Sequence, residues 1–208
     1  MPCPRDGFSM ARAAPTPSDI ARLRQDIVFT ERLRQRCFTF HSTWGLFNPR
    51  QVDEGSRLLA AHVDVAPGET CLDLGCGYGP VGLTLASLCA PGIAHLVDKD
   101  FVAVEYARLN ARLNGLTNVT AYLSNGFSQV AASDFAVIAA NLPAKAGNEM
   151  LTLMMVDARA ALRPGGRFYV VTISGLKEYI KRSFQTIFGN YRKVKQGKTY
   201  TVAVARRD

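Results

Sequence analysis

Residues 70–89, TCLDLGCGYGPVGLTLASLC, restrict the fold of this chain more than any other stretch. The apolar run TCLDL reads as a buried strand and stops at Gly75. Glycines recur at 77 and 79, and Gly82 follows inside GPVGLTLASLC, which reads as a helix. A strand that turns through alternating glycines into a helix forms an α/β unit whose backbone lets a ligand approach closely. From Gly77 the string also satisfies G-x-G-x-x-G, a pattern open to any nucleotide-like ligand and weak by itself.

The alternation continues downstream. IAHLV, VTAYL, FAVIAA and RFYVVTI read as strands, and FVAVEYARLNARLN as a helix closed by Gly115. In NEMLTLMMVDARAAL, Leu151, Met154, Met155, Ala158 and Leu162 share one helical stripe, which reads as core. LKEYIKRSFQTIF reads as a helix, and YRKVKQGKTYTVAVA as a hairpin turning at Gln196-Gly197. The expected fold is a Rossmann-like, doubly wound α/β sheet, mostly parallel, with an antiparallel strand from the C-terminal hairpin.

Upstream, Thr16, Pro17 and Asp19 carry the signals of a helix start, and Ile20, Leu23 and Ile27 fall on one helical face. RCFTFHSTWGLF reads as one or two strands around Phe38 to Phe47, and DEGSRLLAAHV as a helix with Asp53 near its N-terminus. Residues 1–16 are expected to form a flexible tail. Residues 17–208 are expected to form a single domain with an N-terminal helix and strand extension. With 48% hydrophobic residues in 208, the chain can bury one sizeable core.

Composition narrows the function. No apolar run approaches membrane-span length, and the first residues lack the apolar segment of a secretory signal. The five cysteines are odd in number without C-x-x-C spacing, and His41, His62 and His95 are scattered. Neither a disulfide framework nor a metal site is expected, and a cytoplasmic location is. The net charge of +8 is uneven. Residues 1–50 carry +4, residues 51–158 carry −6, and residues 159–208, with 12 basic and 2 acidic side chains, carry +10. A basic C-terminal quarter favours a polyanionic partner such as RNA over a merely solvated lysine face.

The aspartates beside the glycines discriminate among ligands. Asp73 stands two residues before Gly75, where a carboxylate repels a pyrophosphate but suits a cationic ligand. S-adenosylmethionine has an α-ammonium, a sulfonium and no phosphate. Asp98 closes the next strand, where a carboxylate can accept both ribose hydroxyls, with Asp100 a nearby competitor. The bland alternative is that these aspartates cap helices.

LDLGCGYGPVGL, VDKD, LNARLNGL and LRPGGRFYVV resemble the class I S-adenosylmethionine-dependent methyltransferases. GLFNPRQVDEGSRLL and NLPAKAG narrow the resemblance to the "methyltransferase small" family, which includes guanine-N2 methyltransferases of ribosomal RNA. It runs from about Phe38 to Arg206. It implies that Asp73, Gly75, Gly77 and Gly79 line the methionine part of the cofactor, and Asp98 its ribose. Asn125 holds the position that contacts adenine, where relatives tend to have Asp; a plain turn residue before Gly126 is the alternative.

The family motif at residue 141 is Asn-Pro-Pro, often followed by an aromatic residue. By resemblance, the Asn141 side-chain oxygen and the Leu142 carbonyl grip the two hydrogens of a planar amine, and Pro143 stiffens the turn. Leu142 replaces the first proline, so Leu142→Pro is expected to be tolerated unless the Leu142 amide donates a needed hydrogen bond. Ala144 cannot stack on a base. Phe47 or Phe127 is the substitute ring, with core packing the alternative for each, and Lys145 is a candidate phosphate contact, with a plain solvent-facing side chain the alternative. The implied function is methyl transfer to an exocyclic amine, with guanine in ribosomal RNA as the favoured acceptor. Methylation of a protein glutamine or a small molecule is one alternative. A degenerate RNA-binding module is the other. The longer ribosomal RNA enzymes of this group carry an extra N-terminal domain, so their substrate does not transfer directly.

Overall fold

The structure, a computed structural model, describes residues 16–143 and 145–208. The tail expected over residues 1–16, Thr16 excepted, and Ala144 lie outside the described residues. Helix α1 (Pro17–Leu23) begins at the expected capping box, in which the Thr16 side chain accepts from the Asp19 amide and Asp19 reaches back to the Thr16 amide. It buries no residue, and Ile27 lies not on its face but at the start of the next strand.

A hairpin of β1 (Ile27–Leu33) and β2 (Arg36–Ser42) follows. Only one strand, β2, falls in the expected stretch and it ends at Ser42, short of Phe47; its partner β1 lies upstream, over residues for which no strand was expected. Residues 43–51 turn back and forth instead. The Tyr78 hydroxyl donates to the Gln51 carbonyl at 2.9 Å and fixes that segment to the glycine loop. Helix α2 (Glu54–His62), with Asp53 as N-cap, leads into the main sheet.

The remaining elements are β3 (Cys71–Leu74), α3 (Pro80–Cys89), β4 (Ala94–Asp98), α4 (Phe101–Leu113), β5 (Val119–Leu123), β6 (Phe135–Asn141), α5 (Asn148–Ala161), β7 (Leu162–Ile173), α6 (Lys177–Phe188), β8 (Arg192–Gln196) and β9 (Tyr200–Arg206). Sheet order is β5-β4-β3-β6-β7-β9-β8, parallel as far as β7 and antiparallel across β9 and β8. This is the expected doubly wound arrangement with its C-terminal hairpin. Strands β3 and β6 are central, and their near-continuous apolar sequences suit burial on both faces.

Period-two alternation divides the core. Val137, Ala139, Tyr169 and Val171 face α2, α3 and α4, whereas Ile138, Ala140, Phe168 and Val170 face α5 and α6. Leu151, Met155 and Ala158 of the expected α5 stripe are buried. Leu162 is buried too, but as the first residue of β7. Gly82 permits the tight packing of α3 on β4, since a Cβ there would meet the Leu96 side chain at 2.3 Å.

Two asparagines attach the hairpin to α4. Asn110 Nδ2 donates to the His41 carbonyl and Oδ1 accepts from the His41 amide, at 2.9 and 2.8 Å. Asn114 repeats this with Thr39 at 2.8 and 2.9 Å. Four residues apart on a helix and two apart on a strand, the two amides match the periods of both elements. They act as a further strand edge for β2.

Candidate active site

The strand order reverses between β4 and β6, which lie on opposite sides of β3. That places a crevice over the C-terminal ends of the three strands. The glycine loop lies at its floor. Gly75, Gly77 and Gly79 have φ of 77°, 54° and 102°, a region costly for any other residue, and a Cβ on Gly75 or Gly77 would meet nothing within 4 Å. The loop therefore presents bare backbone to open space, as a cradle for a ligand must.

Asp98 is half-buried beside it. Its Oδ2 accepts from the Gly77 amide at 2.8 Å and its Oδ1 from the Asp100 amide at 3.0 Å, so the carboxylate is held fixed. A loop N–H available to a phosphate in a dinucleotide site is here already taken by an anion. Asp100, the competitor, is the N-cap of α4 and accepts from the Val102 amide at 2.8 Å.

Asp73 is 2% exposed, and its Oδ2 has no hydrogen-bond partner among the described residues. Burial pushes its carboxyl up to about 7; the Gly82 amide opposes this shift, and the charge of Asp98 adds to it. An orphaned, buried oxygen with a raised pKa suits a site completed by a positive group.

Asn141 ends β6. Its predecessor Ala140 pairs with Leu74, the residue before Gly75, so Asn141 stands next to the glycine loop. Its Nδ2 lies 3.2 and 3.4 Å from the two Asp53 carboxylate oxygens and 3.0 Å from Ser56 Oγ. Its Oδ1 has no partner among the described residues. Leu142 is buried against the α5–α6 side of the sheet, and its amide donates to the Val171 carbonyl at 3.0 Å. This is the donor on which the expected tolerance of Leu142→Pro was made conditional, and proline removes it. Pro143 is exposed, and its carbonyl accepts from the Ala146 amide at 3.1 Å, which closes the turn.

Lys145 is exposed on the turn itself. Asn125 is exposed, two residues past the end of β5, in a turn whose main chain bonds Ser128. Phe47 is 69% exposed, which removes the core-packing alternative for it, whereas Phe127 packs against the α5–α6 core. The sequence reading missed Asp53 and Ser56 as partners of Asn141, and Tyr78 and Asn110 as clamps. The VDEGS string announces only a helix cap; nothing in its spacing ties residue 53 to residue 141. Two open grooves, about 640 Å³ beside Arg108 and Gly115 and about 590 Å³ beside Arg34 and Thr84, contain none of the crevice residues.

Comparison with known proteins settles the family. Residues 37–204 match the model of the methyltransferase small domain. The chain belongs to the methyltransferase small domain family. Within and around this family it is 41% identical over 142 residues to the uncharacterized protein YbxB of Bacillus subtilis (strain 168), covering 67% of this chain and 71% of YbxB. It is 27% identical over 175 residues to ribosomal RNA large subunit methyltransferase G of Cronobacter sakazakii, covering 81% of this chain and 46% of that enzyme. Among solved structures it resembles the T. thermophilus 16S rRNA N2 G1207 methyltransferase RsmC, in complex with AdoMet and guanosine. That match has a TM-score of 0.76 and 26% identity over 87% of this chain and 50% of RsmC. The chain thus spans about half the length of the two ribosomal RNA methyltransferases. Among its described residues no helix is long and apolar enough to cross a membrane.

Proposed function

We propose that this methyltransferase-family chain moves the methyl of S-adenosylmethionine to an exocyclic amine nitrogen, with guanine in ribosomal RNA as the acceptor. One observation carries the reading: among the described residues the side-chain oxygen of Asn141 has no partner, at the strand end adjoining a glycine loop whose Gly77 N–H is already taken by Asp98. The relatives named above support it, since one acts on large-subunit ribosomal RNA and another was solved with AdoMet and guanosine.

The residues fit this cofactor. Asp73 has an orphaned carboxylate oxygen for a positive end, Asp98 is a fixed acceptor for a diol, and Gly75 and Gly77 leave open space. When bound, S-adenosylmethionine supplies an electrophilic methyl on a sulfonium. The chain's own part is positioning. An exocyclic amine is a poor nucleophile because its lone pair is delocalised into the ring. The Asn141 oxygen and the Leu142 carbonyl would each accept one amine N–H, which orients the nitrogen toward the methyl. On transfer the held nitrogen would gain the methyl and give up one proton to solvent, with the demethylated thioether of the cofactor as leaving group. Phe47 would offer a ring to the base, and Lys145 would meet a phosphate.

The test is transfer of labelled methyl from S-adenosylmethionine to ribosomal particles, free ribosomal RNA and protein fractions from cells lacking the protein. Nucleoside analysis should show N2-methylguanosine. Label confined to protein, or tight binding of NAD with no affinity for S-adenosylmethionine, overturns the reading.

A further inference from the structure

Asn141 has an amide whose two ends look alike in shape but opposite in chemistry, and only one end can receive an amine. If the side chain turned over, it would present N–H groups to N–H groups. Its Nδ2 is held on the inner side by both carboxylate oxygens of Asp53 and by Ser56 Oγ, within 3.0–3.4 Å. Asp53 is 8% exposed and Ser56 7%, so water competes little for these bonds. Turning the amide over would set its Oδ1 against the Asp53 carboxylate, two acceptors in contact in a dry place.

We infer that Asp53, assisted by Ser56, is the positioning residue that fixes Asn141 with its oxygen outward and thereby makes the site select an amine donor. The inference rests on the amine-methylation reading. Asp53 does not touch the acceptor; it acts through Asn141. Its negative charge also draws positive character toward Nδ2 and leaves Oδ1 the stronger acceptor.

The Asp53 side chain has a second duty as N-cap of α2, accepting from the Ser56 amide at 3.1 Å. The test must separate the two. Serine caps a helix nearly as well as aspartate but is too short to hold Asn141. Asp53→Ser combined with Ser56→Ala should therefore keep the melting temperature and S-adenosylmethionine affinity close to those of the parent. It should lower the single-turnover transfer rate on the RNA acceptor at least tenfold. Exchange of the partners gives the sharper readout. Asn141→Asp alone sets two carboxylates face to face and should lower transfer at least a hundredfold. Adding Asp53→Asn restores a donor behind the new carboxylate and should return the rate to within tenfold of the parent.

A structural role for Asp53 predicts no such rescue. Absence of rescue in a folded, cofactor-binding double variant overturns the inference, as does an unchanged rate in Asp53→Ser/Ser56→Ala. Failure of the amine-methylation reading looks different: the parent chain itself transfers nothing to RNA. The inference then still meets a test by NMR, because the Asn141 side-chain N–H₂ protons should exchange slowly with water in the parent and rapidly in Asp53→Ser/Ser56→Ala. Equal exchange in both overturns it.

Discussion

At the residue scale, Asp73 and Asn141 are set up for opposite tasks. The Asp73 carboxyl is buried and pushed up to about 7, so in the absence of a ligand it loses its proton only near neutral pH. A folded-state value above the unfolded one means that the folded chain favours the protonated form. The contribution to stability is full below about 3.8 and is lost as pH rises through 7. A cationic ligand reverses the preference, because it needs the ionised form. S-adenosylmethionine affinity should therefore rise as pH goes from 6 to 8, with proton release in calorimetry, and Asp73→Asn should flatten that dependence. Asn141→Ala should leave cofactor affinity nearly unchanged and lower transfer on the order of a hundredfold, as for loss of one preorganised polar contact; single-turnover rates beside a cofactor titration check this. Leu142→Pro deletes the bond from its amide to the Val171 carbonyl and buries an unpaired acceptor. A loss of about 1–3 kcal/mol in urea unfolding is expected.

At the element scale, the N-terminal hairpin is held to the helical layer by polar groups as well as by Phe38 and Phe40. Asn110 is fully buried and bonds three backbone groups, the amide and carbonyl of His41 and, through a second Nδ2 bond, the carbonyl of Tyr78 in the glycine loop. It thereby joins β2, α4 and the glycine loop. Two arginines complete the attachment: Arg34 donates to the Ala60 and Val63 carbonyls at the end of α2, and Arg36 donates to the Asn114 carbonyl at the end of α4. Asn110→Ala strands these partners in the interior. It should lower stability by about 3 kcal/mol in urea unfolding and weaken cofactor binding as well, since the loop loses its brace. Asn114→Ala, nearer the helix end, should cost less and leave cofactor affinity unaltered.

At the scale of the whole molecule, the basic C-terminal region divides in two. Arg163 and Arg167 pair with Glu69 at 3.0 and 2.5 Å, at the end of the sheet away from the crevice. Lys181, Arg182, Arg192, Lys193, Lys195 and Lys198 are exposed on α6 and the final hairpin, with Lys177 half-buried beside Glu178. Register carries this face to the site. Lys195 pairs with Val202, Val202 with Val171, and Val171 with Asn141, so Lys195 is level with Asn141 three strands away, about 14 Å. These cations would meet phosphates without reading sequence. RNA affinity should fall steeply with salt, and each lysine removed from the hairpin should reduce the slope of log affinity against log salt by about one. Salt-independent affinity would favour a protein or small-molecule acceptor.

The sequence by itself determined the local rules. The positive-φ turn at Gly75, Gly77 and Gly79, the caps at Thr16, Asp53 and Asp100, the apolar strands β3 and β6 and the C-terminal turn all follow from neighbouring residues, because steric limits and hydrogen-bond periods act over a few positions. It also carried the family, since the motifs lie in contiguous strings. Tertiary structure alone decided what depends on distant pairs. Ile27 belongs to a strand because β2 offers it a partner, and Phe47 is exposed because the turn after β2 points away from the core. The Leu142 amide donates a hydrogen bond that the family's proline cannot make. Asp53 holds the amide of Asn141 across 88 positions of chain, a contact that exists only after α2 has packed across β6. No periodicity records such a pair, because the free energy that joins it comes from burial of whole elements, and the two side chains meet as a consequence.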